Sequence, residues 1–366
     1  MQNRIATNPL LPVMGGVLLL AAGVQTASAD ELERGAAIYQ ANCAVCHGPG
    51  GRPDADSALV KGLGVVPANF ADALFNSREP ASDWDIVINH GGPALGFSEK
   101  MPAFGESLNE ADINAVLAYI KTLGGAHDYP DGELNLFLPL RTKKAFPEDE
   151  WVWKVRYTDH DGSDTWKNTL EYEFRVGERF QGVFEVTHES GGGESEFGHF
   201  EPGFKYVLKH DLDQGLIATL GGNLGVPLNS GAEWELLPYL AFGRILSDQF
   251  TLQGSGRLKL SLEDSDHSSA EFAGIVHWAY TSWPQNVFPG LEFVAEVPFE
   301  RGAGAARKSS VQWSAIPQVR IGLNKRGHVA VNLGVELPLN DSDRYDWRAY
   351  AFLIWDFADG GFFEGW

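Results

Sequence analysis

Two cysteines occur in the 366-residue chain, and both lie in one pentapeptide, Cys43-Ala44-Val45-Cys46-His47. Thiols three apart on a turn reach two points on one edge of a planar macrocycle, and the next residue presents an imidazole to its centre. That spacing followed by His is the pattern for covalent attachment of a single haem c, with Cys43 and Cys46 as thioether anchors and His47 as the proximal iron ligand. A disulfide in an oxidising compartment, a zinc site and a thioredoxin-like redox pair are the alternatives. Zinc needs two further ligands with short spacing of their own, and a redox pair needs a βαβ setting. Neither is visible.

A sixth ligand must come from later in the chain. Beyond residue 29 the sequence holds one methionine, Met101, in Lys100-Met101-Pro102-Ala103-Phe104-Gly105. A thioether is common in electron-transfer haems because it raises the reduction potential. The bland reading, methionine as core filler, is weakened because no other Met packs anywhere in this part of the chain. His90, in Asn89-His90-Gly91-Gly92, is a competing ligand, whereas His127 reads as a solvated residue.

These residues need helices to hold them. Glu31 to Asn42 reads as a helix leading into the cysteines, Ser82 to Asn89 as a second, and Asn109 to Leu123 as a third. The third has Asn109 as N-cap, Glu110 and Asp112 in its first turn, Gly124-Gly125 as its stop, and an apolar stripe of Ile113, Val116, Leu117 and Ile120. In this order of elements, with CAVCHG, then MPAFG, then a closing helix containing Ala118-Tyr119-Ile120, residues 31 to 123 resemble a class I cytochrome c. The resemblance implies an all-α domain over 30–124 that carries single electrons, with its first and last helices crossing at Gly35 and Tyr119. Two axial ligands then leave no open iron position for oxygen chemistry.

Residues 125–150, rich in turn formers at both ends, read as a linker. Beyond them, over 151–366, the apolar period changes from 3.6 to 2, and all the tryptophans but Trp84 follow Glu150. About twelve segments alternate. In one, Val329, Val331, Leu333, Val335 and Leu337 oppose His328, Ala330, Asn332, Gly334 and Glu336. Segments of 8 to 13 residues exceed an ordinary soluble strand and match the roughly 9 to 11 residues of a tilted membrane-spanning one. Trp151, Trp166, Trp234, Trp283, Phe299 and Trp347 near segment ends suit interfacial girdles. Short turns such as Gly177-Glu178-Arg179 alternate with longer polar loops at 159–165, 189–196, 263–267 and 301–310, and Ala279 to Pro289 breaks the rule. The expectation is an all-β antiparallel transmembrane barrel, its polar face (Lys154, Arg156, Glu171, Glu173, Arg175, Arg257, Lys259, Gln318, Arg320) forming a solvated, mutually paired lumen. A soluble β-sandwich gives the same alternation.

This half is similar to outer-membrane barrels associated with aromatic-compound degradation, in segments such as GHFEPGFKYVL, and the whole resembles cytochrome-porin fusions. A domain of this size, with a radius of gyration near 13 Å, is too wide for the lumen and is expected to dock below it. Residues 1–29, with Arg4, the apolar run Met14 to Val24 and Ala27-Ser28-Ala29, read as a signal peptide, the alternative being a membrane anchor. With 28 basic and 49 acidic side chains the chain has the wrong sign for nucleic acid. The expected partners are periplasmic redox proteins, outer-membrane lipid and a small-molecule or metal electron donor or acceptor. The expected site is the outer membrane with the haem domain in the periplasm. A solute channel with an attached redox module, and a soluble periplasmic haem enzyme, are the alternatives.

Overall fold

The computed structural model describes residues 27–160, 164–278, 286–299, 311–340 and 344–357. Most of the expected signal peptide, the 301–310 loop and the 279–285 stretch with Trp283 lie outside these residues. The first domain is helical, with α1 (Ala29–Asn42), α2 (Ala44–His47), α3 (Ala58–Leu63), α4 (Ala73–Arg78), α5 (Ala81–His90) and α6 (Glu110–Thr122).

α6 starts where the expected cap lies. The Asn109 side chain accepts from the Asp112 backbone N–H at 3.0 Å, and the Asp112 carboxylate accepts from the Asn109 N–H at 3.3 Å. Its stripe of Ile113, Val116, Leu117 and Ile120 packs on Tyr39, Phe70, Trp84 and Ile88. α1 crosses α6 at Gly35, where an added Cβ would lie 2.0 Å from the Ala115 carbonyl oxygen and 2.9 Å from the Tyr119 Cβ. Only glycine lets these helices close.

Twelve strands follow: β1 (Glu150–Asp159), β2 (Thr165–Arg175), β3 (Phe180–Gly191), β4 (Glu194–Asp211), β5 (Leu216–Pro227) and β6 (Glu235–Ile245). Then come β7 (Phe250–Ser261), β8 (Ser269–Trp278), β9 (Val287–Pro298), β10 (Gln312–Gly322), β11 (Val329–Pro338) and β12 (Trp347–Asp356). Each pairs antiparallel with its sequence neighbours, and β12 closes on β1, so that Trp153 faces Leu170 on one side and Leu353 on the other. Ten residues rising about 3.3 Å each and tilted about 40° span roughly 25 Å, the height of a lipid-facing apolar band.

Which face points outward decides between lipid and water. In β11, Leu333 and Leu337 are 39% and 46% exposed, while Asn332 and Glu336 are each 1% exposed. The same inversion holds elsewhere, with Phe272, Phe293 and Trp313 outside and Glu171, Gln253 and Glu292 inside. A water-soluble barrel or sandwich buries its apolar face; this one exposes it, the arrangement that lipid stabilises. Aromatic belts mark the two ends. Trp151 stacks on Tyr172 at 4.8 Å near the short turns, and Tyr157 lies between Trp166 (4.9 Å) and Trp347 (5.1 Å) at the other end. Lumen charges pair across the wall, as with Lys154 and Glu171 at 2.7 Å and Arg257 and Glu271 at 2.8 Å.

The segment expected to be a linker instead runs into the lumen. Leu134, Leu136, Leu138 and Leu140 are all buried, and so are Ala145 and Phe146. Leu138 and Leu140 pack against Val152, Ile316 and Phe352 of the wall, whereas Leu134 and Phe146 pack against Val207, Ile217 and Tyr239. Inward-facing glycines make the room: a Cβ on Gly334 would lie 2.4 Å from Leu140 Cδ1, and one on Gly243 would lie 2.9 Å from Leu136 Cδ1.

A buried irregular backbone needs partners for its polar groups, and lumen side chains supply them. Asn332 donates to the Leu138 carbonyl (2.5 Å), Gln253 to that of Phe137 (2.7 Å), Thr219 to that of Ala145 (2.7 Å) and Lys205 to that of Phe146 (2.9 Å). At the tip of this strap the Thr142 N–H and hydroxyl donate to Glu292 at 2.5 and 2.6 Å, and Arg141 bridges Glu271 and Glu336. A chamber of about 420 Å³ lies on the long-loop side of the tip and one of about 450 Å³ beneath it, toward the helical domain.

Candidate haem site

α1 ends at Asn42, Cys43 caps it, and the short α2 carries Cys46 and His47. Gly48 then turns the chain at φ 79°, where an added Cβ would lie 2.0 Å from the Arg52 carbonyl oxygen. The Tyr39 hydroxyl pins this corner by donating to the Gly48 carbonyl at 2.8 Å. Both thiols are free and half-buried, and Cys43 packs against the α1–α6 core. Burial, reinforced by neighbouring Cys46, pushes the Cys43 thiol up to about 11.

His47 Nδ1 lies 3.0 Å from the Ala68 carbonyl oxygen. A carbonyl only accepts, so Nδ1 carries the proton and Nε2 keeps a lone pair free for a metal. Burial holds the imidazole below its ordinary range, against the opposing effect of the Ala68 hydrogen bond. The ring is oriented by stacking on Phe70, with centroids 4.6 Å apart.

Met101 reaches the same core from the loop after α5. The Gly92 N–H donates to the Met101 carbonyl (3.0 Å), and the Phe104 N–H to that of Ile88 (2.8 Å). Gly91 has φ 82°, and a Cβ on Gly92 would lie 2.4 Å from the Ser98 carbonyl oxygen, so the glycines allow the tight return. Met101 and Phe104 both pack on the cluster containing Phe70 and Trp84. His90, at the end of α5, is exposed, and His127, expected in solvent, is half-buried beside Tyr129. No group of three metal-ligating side chains occurs among the described residues, which leaves the zinc alternative without ligands. Two free thiols, a neutral imidazole with an open Nε2 and an inward thioether on an apolar wall are a set that fits haem c.

The domain is seated on the short-turn end of the barrel. In the β10–β11 turn Lys325 donates to the Pro93 carbonyl (2.9 Å), Arg326 donates to that of Leu95 (3.3 Å), and the Arg326 guanidinium lies 4.2 Å from the Phe97 ring centroid. This clamp holds the back of the loop that presents Met101. On the other side Asp128 accepts from Arg179 of the β2–β3 turn at 2.6 Å and lies 3.2 Å from His210. The Arg179 hydrogen bond keeps the Asp128 carboxyl below the usual carboxylate range. Sequence reasoning expected a docking below the barrel but did not single out Lys325, Arg326 or Arg179 as the residues that make it, although charged residues cluster in both turns.

Fold and site together define a c-type cytochrome domain joined to a closed antiparallel β-barrel. Residues 30–120 match the family model described as cytochrome C oxidase, cbb3-type, subunit III. The chain is 33% identical to cytochrome c6 of Picosynechococcus sp. over 96 residues, covering 26% of this chain and 74% of that protein. Through this domain the chain belongs to the cytochrome c family. It is also 32% identical over 101 residues to the cbb3-type cytochrome c oxidase subunit CcoP of Azospirillum sp., covering 28% of this chain but only 31% of that protein. Among solved structures it is similar to the KdgM porin (14% identity, TM-score 0.40, covering 56% of this chain and 99% of that one). It is likewise similar to an outer membrane channel from Pseudomonas putida F1 (10% identity, TM-score 0.45, covering 61% and 100%).

Proposed function

We propose that the chain is an outer-membrane-tethered monohaem cytochrome, carrying single electrons between periplasmic redox proteins and a partner at the outer membrane or reached through it. The observation that carries this reading is the seating of a haem-competent domain on the short-turn end of a barrel whose outward face is apolar. Barrels of this kind place short turns in the periplasm. Bound haem c supplies a one-electron iron couple. Cys43 and Cys46 would anchor it covalently, His47 Nε2 and the Met101 thioether would hold its iron, and Tyr39, Phe70 and Trp84 would keep water from the site. Over residues 30–130 six basic face fourteen acidic side chains, a field that steers basic partners.

A single haem on one side of a bilayer-thick barrel is not a wire, so crossing requires a further carrier, such as a small-molecule or metal acceptor. Passive solute flow through the barrel would first have to displace the strap. The test is membrane fractionation with haem-stained gels of unboiled and boiled samples. A heat-modifiable, haem-positive band in the outer membrane is expected; haem staining confined to the soluble periplasm would sink the reading.

A further inference from the structure

The chamber on the long-loop side of the strap has a charge balance opposite to that of the whole chain. Ten basic and eight acidic side chains line it, against 28 and 49 overall. Most of these cations already have carboxylate partners: Lys167 meets Glu189 at 2.9 Å, Lys259 meets Glu235 at 2.7 Å, and Arg348 meets Glu336 at 3.4 Å.

Arg156 differs. On β1 it sits in register between Lys167 of β2 and Tyr350 of β12, and it lines the chamber. Its Nε is buried without a hydrogen-bond partner, and it makes no ion pair with any described residue. Arg348, two positions along β12 from Tyr350, also has a buried Nε without a partner. The neighbouring carboxylates of Glu189 and Glu336 are taken, the first by Lys167 and the second by Arg141 and Arg348.

A half-buried guanidinium without a counter-ion is costly, and its planar fork suits the paired oxygens of a carboxylate or phosphate. A volume of about 420 Å³ is enough for a small molecule. The geometry points to an oxyanion subsite in this chamber, with Arg156 as principal donor and Lys167 and Arg348 beside it. It takes a small solute bearing a carboxylate or phosphate group. This goes beyond electron carriage and holds whether or not that reading does, because none of these residues touches the haem domain.

Calorimetric titration of the purified full chain in neutral detergent at fixed ionic strength tests it, with benzoate, inorganic phosphate and glycerol as probes. Saturable binding of benzoate or phosphate but not glycerol is expected, and whichever anion binds identifies the group. Arg156→Gln should weaken that binding at least tenfold, Arg156→Lys should weaken it less because charge remains without the fork, and Lys61→Gln on the helical domain should leave it unchanged. Heat-modifiable migration and haem content report folding of each variant, and competition between the two anions on the native chain reports a shared site without any variant. Absence of saturable anion binding, or native affinity in Arg156→Gln, would overturn the proposal.

Discussion

Replacing Arg141 with Ala tests how the strap is held. Its guanidinium bridges Glu271 and Glu336, with Glu296 at 3.8 Å, and is about 10% exposed. Removing one partner of a buried ion pair costs about 3–5 kcal/mol when the other charge is stranded. Here neither main partner is stranded: Glu271 keeps Arg257 at 2.8 Å, and Glu336 keeps Arg348 together with hydroxyls from Ser314 (2.7 Å) and Tyr345 (3.0 Å). The loss should therefore fall near the bottom of that range, about 3 kcal/mol, or roughly a hundredfold in the docked-to-undocked ratio of the strap. The four leucines, Phe146 and the hydrogen bonds from Asn332, Gln253, Thr219 and Lys205 are untouched. A strap undocked less than about one part in ten thousand then stays about 99% docked. In planar bilayers Arg141→Ala should remain nearly closed, with its unfolding midpoint on unboiled gels lowered by roughly 5–10 °C. By contrast, replacing residues 134–146 with a short Gly-Ser bridge should give sustained open currents, because Leu134 and Ala145 meet in one cluster and the gap is short. Open currents from Arg141→Ala alone would show that one ion-pair network holds the strap. Closed behaviour of the bridged variant would show that the strap is not what blocks the lumen.

Met101→Ala should keep covalent haem but lose the thioether-iron charge-transfer absorption and show a lower reduction potential; an unchanged spectrum would refute the sixth-ligand assignment. Gly35→Val places a branched side chain where a Cβ already lies 2.0 Å from the Ala115 carbonyl oxygen. It should cost at least about 3 kcal/mol, seen as lost haem staining while the barrel stays heat-modifiable. Removing the two clamp side chains, Lys325→Ala with Arg326→Ala, deletes exposed polar and cation–π contacts worth about 1–2 kcal/mol together. Hydrogen exchange at residues 92–97 should then quicken roughly fivefold to thirtyfold. In the outer loops Glu233 accepts from His267 Nδ1 at 2.8 Å and holds that imidazole above its ordinary value. Because the folded-state value is raised, this contact contributes in full below pH ~6.5 and is lost as pH rises through the shifted value. An NMR titration should place the His267 midpoint above that of a free imidazole, and Glu233→Gln should return it.

The cytochrome domain was legible because covalent attachment would force Cys43, Cys46 and His47 together in sequence, and capping at Asn109 obeys an equally local rule, as does the glycine at the Gly35 crossing. The barrel's strands were legible for a similar reason: a period of two survives whatever the strand packs against. Which face points outward was legible only through strand length and loop asymmetry, since Leu333 and Leu337 alternate with Asn332 and Glu336 in the same way whether lipid or another sheet covers them. Closure of β12 on β1 and the burial of Glu336 bear the expectation out. The strap was read as a linker because turn formers flank it. Its partners are distant in sequence; Arg141 and Glu336 are 195 positions apart. Two signals were present: leucines at 134, 136, 138 and 140 keep a strand-like period inside an apparent linker, and Gly334 breaks the polar face of β11 where Leu140 must fit.

The strap is also continuous with the haem domain. A Cβ on Gly132 would lie 1.9 Å from the Arg78 carbonyl oxygen, and Glu133 accepts from the Ala81 N–H at 2.8 Å and pairs with Lys121 of α6 at 3.7 Å. Where the strap leaves the lumen, Asp149 lies 3.7 Å from Arg78 and 3.5 Å from Arg175 of β2. Both ends of the strap are thus fastened to the α4–α5 corner, while the loop carrying Met101 is clamped to the β10–β11 turn. A domain gripped on these sides has its open face at the haem-binding motif, where Val45 is 68% and Val66 58% exposed. That face can meet a diffusing redox protein without any movement of the strap. An electron passing up the lumen would instead meet packed leucines and paired charges. In the function proposed above, the packing therefore favours lateral exchange at this face over conduction through the barrel axis.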